Sequence, residues 1–444
     1  MHTSAAVLPE LPTFLSALKP HLPWARDSEW NSEDDWFVSL QLEGSSAVWA
    51  ACDLLLQYQH SSVNDLRVSK ERIKVAVGAR SYHGPGSSSL GATSPFGTRA
   101  KPMQLEYPVP SVFARYDGET LDHFESRIYR EFESFLDEHG DEIGVMLIEP
   151  QWGSSCAAQP WNPELLRKYV VAAKAHGILV CADEIMCGLA RHGQGFTFLS
   201  EAWGLEPDAV TFGKAVAAGI EPLSGVALRR GAEFFEAAGQ SVLQMHTYAG
   251  ASARGLLTGT AVLNELPLWY DHIAHMGRLC AKEFRRIEIS SGGALLVHGQ
   301  GLMWGGIFQH PDPVERARAG KLFRDECTAE RVAPYFIPAG GFMFTPVLDI
   351  AEQDIREACD RLARAAERTA VQLKSSWGPA ATVSLAPPQV QETSQKAAST
   401  LRYHGPDQEE MTPEQRNIYD EISRTRTTGV AGPFGPWLAN PALA

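Results

Sequence analysis

Two residues in this sequence have the types and placement for amine chemistry on a carbonyl group. Asp183 closes the apolar run ILVCA, and Lys214 follows the next run, AVTF. Charged residues at the ends of neighbouring buried strands can face one site, because open α/β sheets place their ligands beyond the carboxyl ends of the strands. A lysine there is partly desolvated, which lowers its pKa and leaves a nucleophilic amine able to form an imine. A carboxylate beside it can keep a ring nitrogen protonated. Spacing alone leaves a second reading open, in which Asp183 caps a loop and Lys214 is a solvated strand-end charge.

The elements that must position these residues follow from the pattern around them. IGVMLIE, beginning at Ile143, is a short apolar run suited to a strand buried on both faces. Asn162-Pro163-Glu164 is a helix start: a cap, a proline at the first position and an acid in the first turn. Leu166, Tyr169, Val170 and Ala173 then recur at helical spacing, and Gly177 is a natural stop. ILVCA, AVTF and SGVAL follow as further strands, and strand, helix, strand in this order indicates a mostly parallel sheet of the α/β class. Upstream, Ser45 or Ser46 caps a predicted helix with Val48, Ala51, Leu54 and Leu55 on one face. IKVAVG (73–78) reads as a buried strand, and 84–112, full of Gly, Ser and Pro, as loop. Residues 255–290, 313–332 and 350–373 read as helices. Residues 1–40 read as an irregular arm and 375–401 as a flexible linker.

Composition bounds the partners. A formal net charge of −14 argues against nucleic acid or an anionic membrane surface. No apolar run reaches the length of a membrane span, and the first residues lack the basic and apolar regions of a secretory signal. The seven cysteines are scattered without C-x-x-C spacing, which fits a reduced, cytoplasmic setting with thiols in the core. No His/Cys cluster points to a metal.

Ordered along the chain are Glu149-Pro150-Gln151-Trp152-Gly153, Ala182-Asp183-Glu184-Ile185, Gly188-Leu189-Ala190-Arg191-His192-Gly193, Pro207-Asp208 and Thr211-Phe212-Gly213-Lys214. Together they resemble the class III (subgroup II) aminotransferases of fold type I. Ser81-Tyr82-His83-Gly84 resembles that family's Tyr-His-Gly element, Gly44-Ser45-Ser46-Ala47 its phosphate loop, and His246-Thr247-Tyr248-Ala249-Gly250 its second phosphate contact. The resemblance covers roughly 41–373 and implies a pyridoxal 5'-phosphate (PLP) enzyme. It implies a large domain over 41–255, built on a mostly parallel sheet, and a smaller α+β C-terminal domain over 256–374. It assigns Lys214 to the imine with the cofactor and to proton transfer at the substrate α-carbon, and Asp183 to the pyridinium nitrogen. Tyr82 stacks on the ring and Ile185 packs on its other face. His83 stands in the same cofactor-binding element, and Gly44 and Ser45 hold the phosphate. Thr247 reaches the phosphate of a neighbouring subunit, which implies a homodimer. The implied substrates are an amine or amino acid and an oxo acid or aldehyde. Other α-carbon chemistry on the same fold (aminomutase, racemase, decarboxylase) and a weakened homologue acting as a binding partner are the alternatives. Ser45 as a simple helix cap, Thr247 as a turn hydroxyl and Glu149 as a bridge between loops also remain open.

The chain departs from that family in four places. The segment before the phosphate loop is shorter than usual, Ser46 replaces an acid, and Met186 replaces a glutamine found in many members. Ile337 stands where a carboxylate-binding arginine is usual, with Arg331 several residues away, which puts recognition of an oxo-diacid in question. After the linker, Met411-Thr412-Pro413-Glu414-Gln415-Arg416, Tyr419-Asp420, Gly432-Pro433-Phe434, Trp437-Leu438 and Asn440-Pro441 resemble the opening of a carboxymuconolactone decarboxylase-like domain over 402–444. That segment is read as a fragment without activity.

Overall fold

The computed structural model describes residues 8–26, 36–61, 72–84, 104–116, 118–230, 250–374, 377, 412, 413 and 416. Helix α1 (Glu10–Leu18) precedes strand β1 (Trp36–Gln41) and helix α2 (Gly44–Ser61). Then come β2 (Lys74–Gly78), β3 (Gln104–Tyr107), α3 (Leu121–His139), β4 (Ile143–Ile148), α4 (Pro163–Ala175) and β5 (Leu179–Asp183). A short α5 (Leu199–Ala202), β6 (Ala209–Phe212) and β7 (Ser224–Arg229) complete the first layer set. The larger sheet has the order β1-β7-β6-β5-β4-β2-β3. Only β7 runs against the rest: β2, β3, β4, β5 and β6 pair in parallel, and β7 is antiparallel to both β6 and β1.

The strand period of two sends successive side chains to opposite faces. Val75, Val77, Val145, Leu147, Leu179, Cys181 and Ala209 form one core with α2, whose Val48, Ala51, Leu54 and Leu55 lie against them. Ala76, Met146, Ile148, Val180, Ala182 and Val210 point the other way, into a core with Phe132 of α3 and Leu166 and Tyr169 of α4. Each fully buried Val, Leu, Ile, Met or Phe side chain among these contributes about 1.5–3 kcal/mol. The continuous apolar runs in β4 and β5 are therefore the signature of a sheet covered on both faces. The predicted cap of α4 forms as expected: Asn162 Oδ1 accepts from the Glu164 N–H at 3.0 Å, with Pro163 at the first turn.

A second, smaller unit follows. Helix α6 (Ala253–Ser290) leads into β8 (Leu295–Gln300) and β9 (Met303–Phe308), then α7 (Pro313–Ala329), β10 (Tyr335–Ile337), β11 (Gly341–Phe344) and α8 (Glu352–Leu373). The four strands form an antiparallel sheet in the order β10-β11-β9-β8. The architecture is the α/β class expected, with a mostly parallel large sheet and a smaller α+β part. Two readings are corrected. The arm over 1–40 is not irregular where it is described. Helix α1 buries Phe14, which packs on Phe212 with ring centroids 6.4 Å apart, and Trp36 begins β1. The loop read over 84–112 contains β3, which pairs in parallel with β2 from Gln104 to Tyr107. The linker and the tail from 402 lie outside the described residues, apart from Thr412, Pro413 and Arg416.

Candidate functional site

Extending the alternation of β5 by one step puts Asp183 on the α2 face and Glu184 on the opposite face. Thr211, two residues after Ala209, shares the α2 face, and its hydroxyl donates to Asp183 Oδ1 at 3.1 Å. The Ile185 N–H donates to the same oxygen at 3.1 Å. On the other oxygen, Oδ2, His83 Nδ1 donates at 2.7 Å, with both side chains buried. An ionised carboxylate accepts only, so Nδ1 must carry the proton of this contact. Burial by itself would raise the Asp183 pKa; the His83 bond and charge, the Ile185 amide and the Lys214 charge outweigh it, and the net direction is down. Burial alone would likewise lower His83, but the bond to Asp183 and the charges of Glu149 and Asp183 push it up. Both directions favour the charged forms, carboxylate on Asp183 and imidazolium on His83.

Lys214 follows β6 and opens a 3-10 turn, Lys214–Ala217, with φ +44°. A left-handed conformation costs a non-glycine residue about 1 kcal/mol, and such strain collects at functional positions. The side chain keeps open surface, yet protein crowded around its other sides desolvates the ammonium and lowers its pKa. Asp183 and Glu149 oppose that shift by their charge, which places both acids within electrostatic reach of the amine.

The other predicted residues converge on this place, one exception aside. Gly44, the first residue of α2, lies against Ile185: a Cβ built there would come within 2.8 Å of Ile185 Cγ2. Gly213 presses on the same side chain, with 3.1 Å from such a Cβ to Ile185 Cδ1. Gly84, at φ +91°, lies so close to Ser45 that a Cβ would stand 2.2 Å from Ser45 Cβ. Four separated stretches of sequence thus meet at the amino end of α2, beyond the carboxyl ends of β5 and β6. Tyr82 is 40% exposed, and its N–H donates to Glu149 Oε1 at 3.1 Å. Thr247 lies outside the described residues.

Several neighbours hold the frame. Glu149 accepts from the Tyr82 N–H and, at 3.4 Å, from the Gly153 N–H, so it bridges two loops beneath the site. Burial raises its pKa, against the charge of His83. Glu184, on the far face, accepts from the Leu199 N–H and from the Ser200 N–H and hydroxyl, and burial pushes it up to about 7. Arg191 is half-buried and donates to the Leu302 and Pro346 carbonyls, tying the large sheet to the smaller unit. Met186 is half-buried, its Sδ 3.1 Å from the place of a Cβ on Gly153, and Ile337 is buried in β10. Two partners escaped the sequence reading. Thr211 was detectable from strand parity. Glu43 was not: its Oε1 accepts from both Ser45 Oγ at 2.8 Å and Ser46 Oγ at 3.2 Å.

A pyridine ring with a phosphate arm fits this arrangement on two counts. Asp183 accepts three hydrogen bonds where a carboxylate offers about four sites, so one remains for a ring N–H. The glycine-walled contact of Gly44 and Gly213 on Ile185 keeps backbone N–H groups of the α2 amino end close to the site, the position favoured by phosphates.

Residues 30–366 match the sequence model of the family described as "Aminotransferase class-III". Among curated proteins, the chain is 27% identical over 168 residues to vanillin aminotransferase of Capsicum frutescens, covering 35% of each. It is 35% identical over 158 residues to isoleucine 2-epimerase of Lentilactobacillus buchneri, covering 33% of this chain and 34% of the other. The matches therefore span about a third of the length of these curated relatives. In fold, the chain is similar to the omega-transferase of Vibrio fluvialis JS17, with TM-score 0.70 and 18% identity over 84% of this chain and 87% of that one.

Proposed function

Because the chain belongs to the class-III aminotransferases, we propose that it moves an amino group from an amine or amino acid to an oxo acid or aldehyde, with PLP held on Lys214. The observation that carries this reading is the buried His83–Asp183 pair set beside a desolvated lysine at the carboxyl ends of β5 and β6. When bound, PLP supplies an aldehyde that condenses with amines and a protonated ring that takes up the electron pair of a bond broken at the substrate α-carbon.

The residues of this chain then divide the work. Lys214, whose pKa desolvation lowers, would hold the aldehyde carbon through its amine and would carry the α-proton. Asp183 is held ionised by the proton on His83 and keeps the ring nitrogen protonated. His83 fixes the direction of that carboxylate, and Thr211 and the Ile185 amide fix its other oxygen. Tyr82 and Ile185 would lie against the ring, and Gly44 and Ser45 would hold the phosphate. The test is mass spectrometry after incubation with PLP and borohydride reduction. Wild type should gain one reduced pyridoxyl phosphate group on Lys214, and Lys214→Ala none. Labelling spread over surface lysines, and unchanged in the variant, sinks the reading. Transfer itself is read from the oxo product of the donor, screened over amines and amino acids.

Finer parts of the reading rest on the sequence. The chain sits in subgroup II, with domains over 41–255 and 256–374, and works as a cytoplasmic homodimer in which Thr247 completes the neighbour's phosphate site. The exposed Ile220 and Leu257, on segments joined by the Arg254–Glu221 ion pair, support an apolar contact between copies. Seven buried free cysteines support a reducing setting, and among the described residues no helix is long and apolar enough to cross a membrane. The tail is read as a carboxymuconolactone decarboxylase-like fragment on its motifs alone. Apolar Met186 and Ile337 support donors whose side chains carry no second carboxylate.

A further inference from the structure

Glu43 stands immediately before the helix that is meant to receive a phosphate. Its side-chain oxygen Oε1 accepts from both Ser45 and Ser46, so one carboxylate holds the two hydroxyls of the first turn of α2. The helix is 18 residues long, and its amino end carries the unpaired N–H groups and partial positive charge that attract an anion. The charge of this carboxylate also reaches Tyr82. The Tyr82 phenol is pushed up first by burial and then by the charges of Tyr335 and Glu43. Ser45 is also the residue against which the Gly84 backbone lies. The chain therefore already supplies an anion of its own where the cofactor's phosphate has to sit.

We propose that Glu43 is an internal competitor for the cofactor phosphate. The Glu43 carboxylate must release the Ser45 and Ser46 hydroxyls before a phosphate can take them, and its charge opposes the incoming dianion throughout. Cofactor retention in this chain is accordingly weak and reversible, and the weakness is specific to the phosphate rather than to the aldehyde. This inference rests on the proposed cofactor and adds to it: it assigns an opposing role to a residue that the family resemblance left unassigned.

The discriminating experiment compares pyridoxal 5'-phosphate with pyridoxal, which has the same ring and aldehyde but no phosphate. Each is titrated into cofactor-free protein in a phosphate-free buffer, following tryptophan fluorescence, for wild type, Glu43→Gln and Glu43→Ser. Both substitutions lie at an exposed position, and melting temperatures report that the variants fold. Removing one negative charge a few ångströms from a dianion should tighten binding of the phosphate form by roughly tenfold or more. Binding of pyridoxal should be unchanged, and inorganic phosphate should compete more strongly in both variants. A ratio of the two affinities that does not move between wild type and variants overturns the proposal. So does an equal loss for both ligands with a lowered melting temperature, which would make Glu43 a structural cap only. If no protein, wild type included, takes up either aldehyde on Lys214, the cofactor reading fails and this inference goes with it. If all take up PLP equally, only the role of Glu43 is lost.

Discussion

Replacing His83 with asparagine tests whether the buried pair is ionic, and the answer depends on pH. The substitution removes a 2.7 Å charge-assisted bond to Asp183 between two buried side chains. A hydrogen bond to a charged group contributes about 1.5–3 kcal/mol, and more is at stake where the remaining carboxylate stays buried and unpaired. Asp183 retains the Thr211 and Ile185 donors, so a loss near 2–3 kcal/mol is expected. The sign of the pH dependence follows from linkage. The folded pKa of His83 is raised, so its contribution is full below the unfolded value of about 6.5 and is lost as pH rises through the raised folded value. The folded pKa of Asp183 is lowered, so its contribution is full above its unfolded value and fades only as pH falls through the depressed one. Of these two terms, only the histidine one changes as pH rises above the unfolded histidine value. Urea or thermal unfolding of cofactor-free wild type and His83→Asn should therefore differ most near pH 6, and the gap should narrow steadily on the alkaline side. An equal gap at both ends would mean that the contact is neutral packing, and the reasoning about Asp183 would have to be abandoned.

Three further outcomes are expected. Gly44→Ala should destabilise by about 1–3 kcal/mol, because its methyl would meet Ile185 Cγ2, and adding Ile185→Ala should recover much of that loss in a double-mutant cycle read by unfolding. Glu184→Ala should cost roughly 2–4 kcal/mol by stranding the Leu199 and Ser200 amides and the Ser200 hydroxyl, while Lys214 still labels with PLP in the mass assay. Asp183→Asn should shift the pH midpoint of aldehyde uptake by Lys214 to lower pH, since the aspartate charge raises the lysine pKa that burial lowers; a shift to higher pH would contradict the geometry.

The parts of this molecule that could be read from sequence are those with local causes. The cap of α4 needs only Asn162, Pro163 and Glu164, and the strands of the sheet interior announce themselves as apolar runs because both faces are covered. Asp183 and Lys214 were visible for the same reason: a charge that ends such a run stands out. What escaped depends on distant partners. WFVSLQ becomes β1 only because residues 224–229 offer an edge to it, and the acids before Trp36 mask its character. QLEY becomes β3 because β2 is there to pair with. His83 belongs by its letters to a cofactor element, but nothing in its neighbourhood announces that Asp183, a hundred positions away, accepts its hydrogen bond. The grip of Glu43 on two serines depends on side-chain geometry in a helix's first turn, and the letters Glu-Gly-Ser-Ser permit it without requiring it.

The alternation along β5 has a consequence for how this chain can change. Asp183 and Glu184 are neighbours with similar chemistry, yet one serves the face of α2 and the other anchors α5 across the sheet. Loss of a single codon within Leu179–Ala182 would bring Glu184 to the place of the aspartate and Ile185 to the place of the buried glutamate. One methylene too many would then crowd His83, and three donors around Leu199 and Ser200 would face a hydrocarbon. Point substitutions can drift through this strand, whereas its length is frozen by two unrelated obligations carried on adjacent letters.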